Sequence, residues 1–133
     1  MERVVESVKS GKCVVYPTST LPALGCLPEK GPLDVLFSIK RRSSDAPVSL
    51  GVANIDQAKE FVEVTNDVLE ILEAFPRGSL SIILRAHEKL DSRLGGINVA
   101  IRVVSHPMAR RLLEKTGPLT ATSANISGEE PLN

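Results

Sequence analysis

Four stretches of this chain carry side chains able to grip an anion: Tyr16-Pro17-Thr18-Ser19-Thr20, Lys40-Arg41-Arg42, Ala100-Ile101-Arg102-Val103, and Thr122-Ser123-Ala124-Asn125-Ile126-Ser127-Gly128. Each has an ordinary explanation when taken alone. Cations at a helix C-terminus offset the macrodipole by about 0.3–1 kcal/mol each, and small hydroxyl and amide residues after a strand form turns. Their combination points further, because cations, hydroxyls and a carboxamide are the groups that hold phosphate oxygens where no glycine loop does so. The familiar alternatives are missing: there is no G-x-x-x-x-G-K-[ST] loop, no G-x-G-x-x-G fingerprint and no G-x-S-x-G elbow. Acidic residues fall mostly at helical intervals, so no carboxylate pair stands out for acid–base work.

The elements that must position these residues follow from hydrophobic period and chain breakers. Val4, Val5 and Val8 suit one face of an opening helix that Gly11 ends. Cys13 to Tyr16 reads as a buried strand. Residues 17–31 hold three prolines and two glycines, which predicts an irregular loop leaving a strand end. Pro32 suits a first helical turn, and Leu33, Leu36, Phe37 and Lys40 follow at i, i+3, i+4 and i+7, placing Lys40 on the apolar stripe. Val48 to Ala53 predicts a strand; Asp56 to Val62 and Thr65 to Phe75 predict helices, the second stopped by Pro76.

Leu80, Ile82 and Leu84 alternate with polar neighbours, as do Val99, Ile101 and Val103, so both runs are half-buried strands. Asn98 and Arg102 then share the face opposite the core. Pro107 opens a helix ending near Gly117, and Leu119 to Ser123 is a last strand. Five strands with four or five helices give an α/β (α+β) domain around one twisted mixed sheet.

Composition bounds the function. The chain has 133 residues, 42% of them hydrophobic and 24% charged, which fits one soluble domain. No stretch approaches the roughly 20 apolar residues of a bilayer span, and Glu2, Arg3, Glu6 and Lys9 deny the N-terminus a signal-peptide core. The expectation is a cytoplasmic protein with no membrane contact. Two cysteines and two histidines predict reduced thiols and no metal cage. Net charge is zero but divided: residues 43–76 carry −6 and residues 77–115 carry +5. The acidic part reads as a solvated helical surface, and the basic part as a surface that could meet phosphate or RNA only through a specific site.

With these motifs in hand, the sequence resembles the YrdC-like family from about Lys12 to Pro131. Tyr16-Pro17-Thr18-Ser19-Thr20 matches the family's tyrosine-proline-threonine segment. Lys40 and Arg42 match its lysine-x-arginine motif, Ser123 and Asn125 its serine-x-asparagine motif, and Arg102 its arginine strand. The chain departs from the pattern at Ser19, Pro22, Ala23, the run Pro76 to Ser79, and Val104, which stands where the family usually has proline. The resemblance implies a single domain over residues 1–133, a short member without the family's C-terminal segment, folded around a positively lined cavity.

The activity implied is synthesis of threonylcarbamoyl-adenylate from L-threonine, bicarbonate and ATP, with magnesium, for tRNA threonylcarbamoyladenosine modification. Lys40, Arg42, Ser123 and Asn125 would then hold the nucleotide and its phosphates, with Lys40 and Arg42 serving the reaction itself and Asn98 as a further nucleotide contact. Thr20 and Arg102 would hold threonine. A tRNA-modification complex is the implied partner, with tRNA or double-stranded RNA and a second copy of the chain as further partners. The alternative is a noncatalytic nucleotide- or double-stranded-RNA-binding module.

Overall fold

The computed structural model describes residues 1–19, 21–40, 47–75 and 81–123, with Ser123 described by its backbone alone. Among these described residues, five helices, α1 (Glu2–Lys9), α2 (Lys30–Lys40), α3 (Ile55–Ala58), α4 (Asn66–Ala74) and α5 (Pro107–Thr116), flank six strands: β1 (Val14–Tyr16), β2 (Ala23–Gly25), β3 (Ser49–Val52), β4 (Ser81–Arg85), β5 (Asn98–Val103) and β6 (Leu119–Ser123). The strands form one sheet in the order β1-β2-β6-β3-β5-β4. Only β3 and β5 run parallel; every other neighbouring pair is antiparallel. The mixed α/β architecture expected from the sequence is therefore present.

Three expectations need correction. Strand β1 is not buried throughout: Tyr16 is buried, but Val15 is 53% exposed, because β1 is an edge strand. The stretch 17–31 is not wholly irregular: Ala23–Gly25 is a strand, fully buried between β1 and β6. Its proline lies just before its first residue, where no ladder bond is lost, and Gly25 lets the Tyr16 ring lie across it, since a Cβ there would fall 2.5 Å from Tyr16 Cε1. The helix expected over 56–62 is only the turn Ile55–Ala58. Asn54 caps it by accepting from Gln57 N at 3.0 Å, and Val62 leaves the helix to bridge Ala86. The stop at Pro76 and the start of the strand at Leu80 lie outside the described residues.

Elsewhere local chemistry explains the boundaries. Helix α2 begins at Lys30, two residues before Pro32, which sits in a first turn whose N–H groups have no intrahelical partner anyway. Thr65 caps α4 through Val68 N, and an imidazole nitrogen of His106 accepts from Met108 N at 3.2 Å to cap α5.

Strand alternation sends side chains into two cores. One contains Leu24, Leu33, Leu36, Phe37, Leu50, Val52, Val99 and Ile101, under α2. The other contains Val8, Tyr16, Ala23, Val104, Leu112, Leu113 and Leu119, under α1 and α5. Val104 donates its N–H to Val52 O at 3.0 Å, a bond that proline could not make, so this departure extends the β3–β5 ladder.

Candidate functional site

The register places several candidate residues at one end of the sheet. Strands β3 and β5 run parallel and start there, at Ser49 and Asn98. Strand β6 runs the other way and ends there, with Ser123 paired to Ala23, the first residue of β2. Lys40 ends α2, the helix that feeds β3. Topology thus brings the helix end bearing Lys40 and the strand ends bearing Asn98 and Ser123 to the border of one sheet end. Thr20, Arg42 and Asn125 lie outside the described residues.

Lys40 is only 2% exposed, on the same helix face as Leu33, Leu36 and Phe37. A cation that merely capped a helix in solvent would sit in water. Burying an ammonium is costly unless it is paired, and its place on the apolar stripe is the one its spacing predicted.

The second face of the sheet carries Asn98, Ala100 and Arg102. Asn98 is exposed and Arg102 half-buried, while Val99 and Ile101 go to the first core, as the alternation predicted. Arg102 is flanked by Gly51 on β3 and Ser81 on β4. Gly51, Ala100 and Ala121 keep this face low, and α1 and α5 cover only the part around Tyr16, Ala23 and Leu119. Beyond them Ile83, the partner of Ala100, is 69% exposed. A guanidinium and a carboxamide thus rise from a shallow floor of small side chains, a surface suited to an anionic ligand.

Tyr16 closes one side of this floor. Its hydroxyl donates to Thr120 O at 2.9 Å, and a Cβ on Gly51 would lie 3.2 Å from its oxygen. Burial pushes the phenol far above its ordinary value, with the nearby Arg102 charge opposing the shift. Its hydroxyl hydrogen is given to Thr120 O, so Tyr16 packs as a wall beside the floor. Sequence reasoning missed this supporting role and that of Gly51; a glycine inside a short strand was the available signal of a close approach.

Lys40 and Arg102 start from opposite faces of the sheet, so whatever joins them must pass around the sheet end. Ser49 does not contribute its hydroxyl there, because it donates to Ala121 O at 2.9 Å. Among the described residues, no group of three or more His, Cys, Asp or Glu side chains could hold a metal ion, and no helix is long and apolar enough to cross a membrane.

Known proteins resemble this chain in sequence and fold. Residues 6–133 match the Sua5_yciO_yrdC family, described as telomere recombination. A threonylcarbamoyl-AMP synthase of Vibrio vulnificus is 33% identical across 97% of this chain and 73% of its own length. A putative threonylcarbamoyl-AMP synthase of Mycobacterium tuberculosis is 33% identical across 96% and 60% respectively. Among solved structures, P. abyssi Sua5 complexed with L-threonine matches with a TM-score of 0.89 and 28% identity, covering 97% of this chain but 39% of that one. E. coli YciO matches with a TM-score of 0.82 and 27% identity, over 96% and 65%. The chain thus spans well under half of Sua5 and nearly three quarters of the Vibrio relative. The family match runs over residues 6–133 and the Vibrio relative is 33% identical over 97% of the chain: the chain belongs to the Sua5/YciO/YrdC family.

Proposed function

We propose that this protein makes threonylcarbamoyl-adenylate from L-threonine, bicarbonate and ATP, releasing pyrophosphate, in the cytoplasmic modification of tRNA. The observation that carries this reading is Arg102 on the open, small-residue face of a sheet that closely matches a Sua5 structure complexed with L-threonine. Arg102 would pair with the threonine carboxylate through its planar fork, and Thr20 would bind the same substrate. Lys40, Arg42, Ser123 and Asn125 would hold the triphosphate, and Asn98 would touch the nucleotide from the start of β5.

The chemistry asks little of acids or bases. The threonine amine takes up the bicarbonate carbon as a carbamate with loss of water, and a carbamate oxygen attacks the α-phosphorus as pyrophosphate leaves. The protein's part is to align the two oxyanions and offset the charge that develops between them. Magnesium belongs to this reading as part of the Mg–ATP substrate, held by phosphate oxygens. A tRNA-modification complex would receive the product, with tRNA or double-stranded RNA and a second copy of the chain as further partners.

Threonine- and bicarbonate-dependent release of pyrophosphate tests the reading. In parallel, calorimetric titration with ATP on the wild type and Lys40→Ala should show roughly 10- to 100-fold weaker binding in the variant. ATP or double-stranded RNA binding without turnover would instead identify a noncatalytic module. Flat titrations with every ligand would sink both readings.

A further inference from the structure

We infer that Arg93 is a positioning residue that holds the Lys40 helix against the Asn98 strand and so sets the affinity for ATP; the inference rests on the nucleotide site proposed above. Arg93 lies in the 3-10 turn Ser92–Leu94, between β4 and β5. Its side chain is only 13% exposed and fully engaged. Nε and Nη2 donate to the two carboxylate oxygens of Asp91 at 3.0 and 2.8 Å. Nη1 donates to Asp34 Oδ1, Nη2 reaches Lys30 O at 3.5 Å, and the guanidinium lies 5.6 Å from the centre of the Phe37 ring. Lys30, Asp34 and Phe37 all belong to α2, and Phe37 stands one turn before Lys40.

The backbone of the same residue anchors the chain on its way from α2 into β3. Arg93 O accepts from Val48 N at 2.9 Å, directly ahead of β3. One residue therefore grips both sides of the segment 41–47, which contains Arg42. The 3-10 turn is in turn fixed to β5: Asn98 N donates to Gly95 O at 3.2 Å, and Gly95, at φ 110°, leaves no space for a side chain because a Cβ would meet Asn98 O at 2.0 Å. A displacement of Arg93 thus moves α2 relative to Asn98, and with them the two arms assigned to the nucleotide. Arg102 is fixed separately, by the ladder partners Gly51 and Ser81.

The guanidinium is committed to two carboxylates and a carbonyl, so it acts through Lys40 and Asn98 rather than on a ligand. Isolated surface ion pairs add little stability. A bidentate guanidinium shared between two elements has geometric value instead, since misplacing a binding group by about 1 Å can cost on the order of 100-fold.

The test is calorimetric titration of the full chain with ATP and, separately, with threonine, on the wild type, Arg93→Gln, Arg93→Lys, Asp34→Asn and Lys40→Ala. Arg93→Gln should raise the ATP dissociation constant about tenfold and leave that for threonine within about twofold, with Arg93→Lys recovering roughly half of the logarithmic loss. Asp34→Asn, an exposed position whose change spares the fold, should reproduce part of the ATP effect with little change in Tm. Equal weakening of both ligands, or a lowered Tm with ATP binding intact, would show a merely structural residue and overturn the inference. If Lys40→Ala loses ATP while Arg93→Gln and Asp34→Asn do not, the inference fails and the nucleotide site stands. If the wild type itself binds no ATP, both fall.

Discussion

The hydroxyl of Tyr16 lies directly above Gly51: a Cβ on that glycine would sit 3.2 Å from the phenol oxygen and 3.4 Å from Ala121 Cβ. The absence of a side chain at Gly51 is what lets the phenol reach Thr120 O across the sheet.

Gly51→Ala and Tyr16→Phe should each destabilise the fold by about 1–2 kcal/mol, the first by crowding and the second by stranding a buried carbonyl. Their effects should not add. Removing the hydroxyl frees the space the new methyl needs, so the double variant should lose less than the sum of the two, by about 0.5 kcal/mol or more. Urea denaturation of the four proteins measures this, and strict additivity would show that the phenol does not press on Gly51.

How legible this was from sequence depends on which force governs each element. The Lys40 stripe and the division of β5 into a core face and a polar face were readable because burial imposes a period. Strand β2 was not: its three residues carry no period of their own and exist because the backbones of β1 and β6 pair on either side. The shortened α3 reflects competition, since the Val62–Ala86 bridge takes backbone that helical propensity would have used. Arg93 was invisible as a tie, because its partners Asp34 and Lys30 stand far away in sequence and its charge looked like one more base in a basic stretch.

Arg102 should decide threonine binding through its shape as well as its charge. Arg102→Lys keeps the charge but loses the fork, which predicts about tenfold weaker threonine binding, and Arg102→Ala about 100-fold. ATP affinity should change by less than about threefold in either variant, because the sheet register separates Arg102 from Asn98 by four residues on β5. Isothermal titration with each ligand checks this; equal losses for ATP would place Arg102 in the nucleotide site instead.

Acid should loosen the Arg93 tie in a defined window. The Arg93 guanidinium holds the Asp91 carboxyl down at about 2, against an ordinary 3.8, and lowers Asp34 as well. A carboxylate with a depressed value stabilises the fold above its unfolded-state pKa and loses that contribution as pH falls through its folded one. The Asp91 contribution is therefore complete above about pH 4 and gone near pH 2, worth on the order of 1 kcal/mol after solvent screening. Asp91→Asn retains an oxygen that can accept from Arg93 N, so it removes the charge while sparing the cap. Its urea midpoint should fall less steeply than that of the wild type between pH 4 and 2; parallel curves would deny the ion pair any part in acid stability.

Cys13 and Cys26 should cross-link within one molecule under a diazene oxidant. Val14 pairs with Gly25 in an antiparallel ladder, so one step outward Cys13 faces Cys26. Both main-chain polar groups of Cys26 are turned away toward β6, its N–H to Thr120 Oγ and its carbonyl to Thr120 N, each at 3.0 Å. Opposed residues of this non-hydrogen-bonded kind have Cα atoms about 4.5 Å apart, within the range a disulfide spans. Burial raises both thiols, Cys26 to about 12, which leaves little thiolate at neutral pH. Below those values the thiolate fraction grows about tenfold per pH unit, so diamide at pH 9 should form the bridge on the order of 100 times faster than at pH 7. The two thiols lose their hydrogens to the diazene, which becomes a hydrazine, and the intact mass falls by two hydrogens. Cross-linked dimers in place of that monomer, or a rate independent of pH, would refute the facing geometry of the two cysteines.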